Sequence, residues 1–149
     1  MNILALEEGN TIIEERKALL ASDIHQIIED YKTSDRKHKN RFLVKFGDNI
    51  QFKNTEEIAY FFADNKITYL VLNEAQRFIV DYRLDQLQEI LDPECFFRLN
   101  RKFVIKIEAV QKIKLLNNSR LQVFLKPNFE KDIFVSKEKA TAFKTWLDQ

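Results

Sequence analysis

The residues of this sequence best suited to chemistry are cations in one short stretch. Between positions 98 and 114, where Glu108 is the one opposing carboxylate, the positive side chains are Arg98, Arg101, Lys102, Lys106, Lys112 and Lys114. Lysine and arginine bind phosphate, and the planar fork of arginine can also pair with the two acceptors on the major-groove edge of guanine. A solvated strand face shows the same residue types, so this pattern alone leaves both interpretations open.

Other reactive side chains are sparse. The single cysteine, Cys95, has no histidine near it in sequence to act as a base, because the two histidines are His25 and His38. Neither histidine has a cysteine or carboxylate at the spacing of a zinc site. Glycines occur only at positions 9 and 47, so there is no phosphate-cradling glycine loop. We therefore expect no enzyme activity, no metal and no cofactor, and we interpret Cys95 as a small core residue.

Composition narrows the class of protein. No apolar run approaches the roughly 20 residues of a membrane helix, and the N-terminus lacks the pattern of a secretory signal. A single cysteine fits a reducing compartment, so we expect a cytoplasmic protein with no membrane partner. The net charge is only +1, but positions 41–149 hold 18 Lys and Arg against 15 Asp and Glu. Any nucleic-acid surface must therefore depend on uneven placement of charge.

The first 40 residues have a different pattern from the rest. Residues 11–31 are predicted to be helical, since one face of a 3.6-residue period would carry Leu20, Ile24, Ile27, Ile28 and Tyr31. Alternatively, Ala21–Asp23 ends one helix and caps a second. Residues 32–40 are polar throughout and are predicted to be a linker.

From Arg41 the period changes to that of strands. Phe42, Val44 and Phe46 alternate with polar or outward positions, and a turn at 47–49 predicts a hairpin with the next strand. Further strands are predicted at 58–63, 67–72, 76–80, 102–106, 110–116, 120–126 and, briefly, 132–135. Short helices are predicted at 84–91 and after Ser136, the latter burying Ala140, Phe143 and Leu147. The pattern is that of a mainly antiparallel β domain with two short helices.

Several aromatic residues could form either a core or a platform on which single-stranded bases stack. Their alternation and clustering favour the core for Tyr60, Phe61, Phe62, Phe96, Phe97, Phe103 and Phe124.

Five motifs in order resemble those of the LytTR family of DNA-binding domains. They span the chain from Arg41 to Leu147, and the sharpest of them is Phe96–Ile105 (FFRLNRKFVI); the others are Arg41–Asp48, Glu57–Phe61, Phe78–Leu87 and Val135–Lys137. The resemblance implies an elongated fold of small antiparallel β-sheets with two short helices. It also implies binding of double-stranded DNA through loops that enter successive major grooves, without a recognition helix.

The resemblance places base-reading residues in three loops, at Asp64–Thr68, at Asn100–Arg101 and at Lys137. The implied DNA-binding residues are Arg98, Asn100, Arg101, Lys102, Lys66, Thr68, Ser136 and Lys137. Among these residues, the resemblance makes Arg101 the expected principal base reader. The first loop departs from the family, since Ile67 stands where a polar or aromatic side chain is usual.

Two of these residues have an alternative role. Asn100 either contacts a base edge or shapes its own turn. Ser136 either caps the last helix or binds phosphate, and one residue can do both.

Family members usually lie behind a phosphate-accepting receiver domain. Residues 1–40 are too short for a receiver, and residues 23–40 resemble its last helix and linker. The chain is therefore either a fragment of such a regulator or a stand-alone regulator. We expect an N-terminal helix and linker at 1–40 and a DNA-binding domain at 41–149, which regulates transcription as a two-component output domain. It would bind promoter direct repeats as a homodimer formed on DNA. The alternative is a protein-interaction or dimerisation module that uses the N-terminal helix.

Overall fold

The computed structural model describes residues 23–26 and 38–149. Residues 23–26 are helical, and Ile24 there is exposed. The remainder of the helix predicted at 11–31, and most of the linker, lie outside the described residues. Residues 38–149 belong to one compact unit. No helix within the described residues is long and apolar enough to cross a membrane.

The unit that follows is built from ten short strands and two short helices. Its strands are β1 (Arg41–Phe46), β2 (Asn49–Asn54), β3 (Ile58–Asp64), β4 (Ile67–Leu72), β5 (Arg77–Val80), β6 (Phe96–Arg98), β7 (Phe103–Lys106), β8 (Val110–Leu115), β9 (Leu121–Leu125) and β10 (Ile133–Phe134). Its helices are α1 (Leu84–Ile90) and α2 (Ala140–Leu147). The predicted mainly β class with small antiparallel sheets is thus confirmed.

The strands form three antiparallel sheets. β1 pairs with β2, the five-stranded sheet has the order β5-β4-β3-β7-β6, and the third sheet has the order β10-β9-β8. The central strand β3 is buried on both faces: Tyr60 and Phe62 pack into one core cluster and Phe61 into the other. One cluster also contains residues of the three-stranded sheet and α2, and the other contains residues of β1 and α1. The five-stranded sheet therefore separates two cores.

Two local predictions differ from the structure. No strand was predicted at Phe96–Arg98, but this segment forms β6, which pairs with β7. The last helix begins with a 3-10 turn at Lys137–Lys139, and α2 buries Phe143 and Trp146. Leu147, expected on that face, is only partly buried, because the indole of Trp146 takes the inner position and donates a hydrogen bond of 3.0 Å to the Pro93 carbonyl.

The aromatic residues are mostly core, as the alternation predicts. Five are buried: Tyr60, Phe61, Phe62, Phe96 and Phe103. Phe97 and Phe124 are partly buried. A stacking platform for bases would need exposed ring faces, so the buried set does not provide one.

Candidate nucleic-acid interface

The loop between β6 and β7, residues 99–102, is shaped by one amide side chain. The Asn100 Oδ1 atom accepts hydrogen bonds from the backbone N–H groups of Lys102 and Phe103, at 2.8 and 3.1 Å. Its Nδ2 atom donates to the carbonyl of Phe134 in β10, at 2.6 Å. Both ends of the amide are thus used within the protein, so the structure favours the turn-shaping role of Asn100 over a base contact.

Arg98 holds the same loop from the other side. Its guanidinium donates to the carbonyls of Asn100 and Arg101, at 2.7 and 3.1 Å. It also donates to the Asp85 carboxylate at 2.8 Å and to Gln88 at 3.2 Å, both on α1. Only 13% of the side chain is exposed. The contact with Arg98 holds the pKa of Asp85 below its ordinary value, and the guanidinium has little surface left for a phosphate.

The two cations at the tip of this loop are in a different situation. Arg101 and Lys102 are exposed, and within residues 38–149 neither side chain takes part in a hydrogen bond or ion pair. As far as the described residues go, Arg101 therefore carries an unpaired guanidinium on a backbone held by Arg98 and Asn100. Such a group can extend toward a partner without breaking a contact inside the protein.

The turn between β3 and β4 forms the second predicted loop. Asp64 pairs with Ile67, so Asn65 and Lys66 make a two-residue turn, and both have positive φ, 55° and 67°. These values are those of a type I′ hairpin turn, which matches the twist of the flanking strands. Lys66 is exposed.

The structure corrects the prediction for Thr68. Its position on β4 is on the same face as Leu70 and Leu72, which lie in a core cluster, and only 7% of Thr68 is exposed. Side chains alternate along a strand, so Ile67 is the outward residue here and Thr68 faces inward. Thr68 cannot reach a base without leaving the buried face.

The third predicted loop leads into α2. Ser136 occupies the N-cap position of the turn at Lys137–Lys139, but its hydroxyl forms no capping hydrogen bond. The turn is closed by the backbone alone, as the Lys139 N–H donates to the Ser136 carbonyl at 2.9 Å. Lys137 is exposed.

Backbone and side-chain hydrogen bonds join these three loops. The Ala63 N–H, at the end of β3, donates to the Lys102 carbonyl at 2.9 Å. The Ser136 N–H donates to the Leu99 carbonyl at 3.3 Å, next to the bond between Asn100 and Phe134. Residues 99–102 thus lie between the other two loops, and the structure brings all three to one edge of the unit.

The remaining cations of the stretch from 98 to 114 differ in their contacts. The Lys106 Nζ donates to the Thr55 carbonyl at 2.6 Å, so this lysine serves the fold. Lys112 and Lys114 are exposed on β8. Sequence reasoning missed Arg120, whose guanidinium lies 4.2 Å from the centroid of the Phe134 ring. The signal was present, because Arg120 directly precedes the alternating strand β9.

The described residues offer little for other chemistry. Among them no three His, Cys, Asp or Glu side chains are grouped as a metal site. Cys95 is partly buried and packs against a core cluster. Burial, with the carboxylate of Asp92 close by, raises the pKa of the Cys95 thiol, so the thiol stays protonated and weakly nucleophilic at neutral pH.

Comparison with known proteins agrees with the motifs. The family model described as the LytTr DNA-binding domain matches residues 48–148. A solved structure from Bacillus cereus is similar in fold; it is described as the LytTr DNA-binding domain of a methyl-accepting/DNA response regulator. The TM-score is 0.65 and the sequence identity 21%, over 74% of this chain and 99% of that one. No curated protein matches the sequence.

Proposed function

This chain belongs to the family of LytTr DNA-binding domains, and from that premise we propose that residues 41–149 recognise a specific double-stranded sequence in a promoter. DNA binding for transcription regulation is the function of the family, and it involves no catalysis.

The joined edge of three loops is the observation that carries this proposal. It holds exposed cations on three separate chain segments: Lys66, Arg101 with Lys102, and Lys137. Loops fixed to one another by hydrogen bonds keep their spacing, so little conformational entropy is lost when they meet a groove. Spacing of that kind is what a surface needs in order to match a rigid duplex.

We assign base reading to Arg101, with Lys137 as the second reader. A free guanidinium can pair with O6 and N7 of guanine in the plane of the base. Lys66 and Lys102 fit phosphate contacts, because an ammonium is a point charge without that planar fork. Arg98 and Asn100 then act as positioning residues, since they hold the backbone from which Arg101 extends. Ser136, with its hydroxyl unused in capping, is free to add a phosphate contact.

The arrangement of the whole regulator is also a proposal. The similar Bacillus cereus structure comes from a protein described as a response regulator, and residues 23–26 of this chain are helical. We propose that residues 1–40 form the end of a receiver and a linker, so that this domain is the output of a two-component-type regulator. Two protomers would bind promoter direct repeats and pair on DNA.

The test is selection of binding sites from a pool of random-sequence duplexes, followed by titration of the selected and mixed-sequence duplexes. Arg101→Ala should weaken the selected site by about 1–3 kcal/mol and relax the preference at one base pair. Lys102→Ala should weaken both duplexes about equally and reduce the salt slope by roughly one unit. Thr68→Val is a control, because a buried side chain should leave both affinities unchanged.

Equal losses of affinity for both duplexes in Arg101→Ala would make Arg101 a phosphate clamp and move base reading to Lys137. Failure of the wild-type protein to select any sequence would refute the proposed function itself.

A further inference from the structure

The outer face of the three-stranded sheet is strongly positive. From position 109 to 129 the chain contains four cations and no carboxylate. All four are exposed: Lys126 lies just after β9, and Lys112, Lys114 and Arg120 lie on β8 or just before β9. Neither of the two ion pairs recorded among the described residues, Arg77–Glu130 and Arg98–Asp85, involves any of them.

The register of the strands puts these cations on one face. Lys112 pairs with Phe124 and Lys114 with Gln122, and Gln122 pairs in turn with Phe134 of β10. Directly paired residues project from the same face of a sheet. The opposite face carries Val123 and its neighbours, which are buried in the core, so the paired lysines face outward.

Aromatic rings support two of the cations. The Lys112 Nζ lies 4.6 Å from the centroid of the Phe124 ring, and the Arg120 guanidinium lies 4.2 Å from that of Phe134. Contacts of this kind limit the motion of long side chains while leaving their charge accessible. We call the surface formed by Lys112, Lys114, Arg120, Phe124 and Phe134 the cationic face.

The cationic face is continuous with the edge where the three loops meet. One side of β10 pairs with β9, and on its other side the Phe134 carbonyl accepts the hydrogen bond from Asn100. The order of segments is therefore β8, β9, β10 and then the 99–102 loop. Neighbouring strands lie about 4.8 Å apart, so the cations of β8 stand roughly 10 Å from β10, farther from the loop.

We propose that the cationic face binds the sugar–phosphate backbone of duplex DNA that flanks the recognised site. This inference rests on the proposed function and extends its contact surface. Duplex DNA carries one negative charge per roughly 1.7 Å of its axis. The DNA that continues beyond the three loops would therefore present several phosphates to the cationic face. None of the five residues that define the face is a carboxylate, and its lysines lie on a strand rather than at the tip of a loop. The face should add affinity and salt dependence but no sequence preference.

The test compares two triple variants of the full chain. One replaces Lys112, Lys114 and Arg120 by Ala; the control replaces Arg41, Lys45 and Lys53 of the β1–β2 hairpin, which removes the same charge elsewhere. Affinity is measured against salt for a mixed-sequence duplex of about 40 base pairs, a length that leaves room for flanking contacts. Thermal melting confirms that both variants fold.

We expect the first variant to lower the salt slope by about two to three units and the control to lower it by much less. When salt rises from about 50 to about 200 mM, Kd should increase for both proteins. If three phosphate contacts are lost, the increase for the first variant should be about 40-fold smaller than the increase for the wild-type protein. On a duplex trimmed to the selected site, the first variant should bind like the wild-type protein, because the flanking phosphates are absent.

Two results would overturn the inference while leaving the proposed function intact. One is an unchanged slope in the first variant on the long duplex, which would leave an acidic protein surface as the partner of this face. The other is an equal loss in the hairpin control, which would show a general effect of net charge. If the wild-type protein bound no duplex at all, the proposed function would fail first.

Discussion

The 99–102 loop and the β3–β4 turn are neighbours at one edge of the molecule, yet they are held in different ways. The loop is braced by side chains: Asn100 makes three hydrogen bonds and Arg98 makes four, reaching α1 and β10. The turn is held by the pairing of its two strands. Its residue Lys66 has a φ of 67°, in the left-handed region that glycine prefers.

The two regions are therefore stabilised by different interactions. In the loop, the side chains of Asn100 and Arg98 fix the backbone from which Arg101 extends. The turn tolerates a strained lysine, and a strain of about 1 kcal/mol is acceptable when that lysine puts a charge at the tip of a hairpin. We therefore expect substitutions that remove the bracing to affect stability and binding together. Substitutions at the turn should change stability and DNA binding independently of each other.

The largest effect is expected from Asn100→Ala. Losing three hydrogen bonds, which leaves the N–H groups of Lys102 and Phe103 and the carbonyl of Phe134 without this partner, should lower the free energy of unfolding by about 2–3 kcal/mol. Affinity for selected and mixed-sequence duplexes should fall together, because the loop loses its shape. Chemical denaturation and duplex titration measure the two quantities. Asn100→Asp retains the acceptor for Lys102 and Phe103 but sets a carboxylate oxygen against the Phe134 carbonyl in place of the donor, so its free energy of unfolding should also lie below that of the wild-type protein.

An unchanged stability in Asn100→Ala, with affinity lost only for the selected site, would contradict this view. Asn100 would then be a base reader, and the bracing of the loop would depend on Arg98 alone.

Lys66→Gly should change the free energy of unfolding by a smaller amount and in the opposite direction. Glycine adopts positive φ without the steric penalty of a Cβ atom, so the variant should be more stable by up to about 1 kcal/mol. Lys66→Ala is the matched control, as it removes the same charge but keeps the strained backbone. Both variants should lose the same modest share of duplex affinity. Equal stability of the two variants in denaturant titrations would show that the turn carries no strain at this residue.

The smallest effect concerns the ion pair that ties the loop to α1. Arg98 depresses the pKa of Asp85 in the folded protein. Its contribution to stability is therefore fully present above the unfolded pKa and is lost as the pH falls through the folded one. Asp85→Asn should melt slightly lower than the wild-type protein at pH 7, and the difference should vanish in acid. Glu89→Gln, on the same helix, is the control and should show no such convergence; if it did, the effect would come from the charge of the helix.

Much of this architecture was predictable from residue types and periods. Alternation of buried and exposed positions predicted the strands from Arg41 onward, and the helix predicted at 84–91 is α1 (Leu84–Ile90). These signals work because a strand or helix with one buried face imposes its period on the sequence locally. β6 escaped prediction because a three-residue strand is too short to show an alternation, and only its pairing with β7 identifies it.

The candidate site likewise combines features that were predictable from the sequence with contacts that only the structure shows. The sequence alone determined that the cations concentrate after position 98, and its resemblance to the family pointed to the three loops. It could not determine that Arg98 is hydrogen-bonded while Arg101, three residues later, has no side-chain partner in the described part of the chain, because the partners of Arg98 include Asp85 on another element. Nor could it show that Thr68 is buried or that Asn100 binds Phe134, thirty-four residues away in the chain. A side chain's residue type fixes which hydrogen bonds it can form, but only tertiary packing decides which partners come within reach.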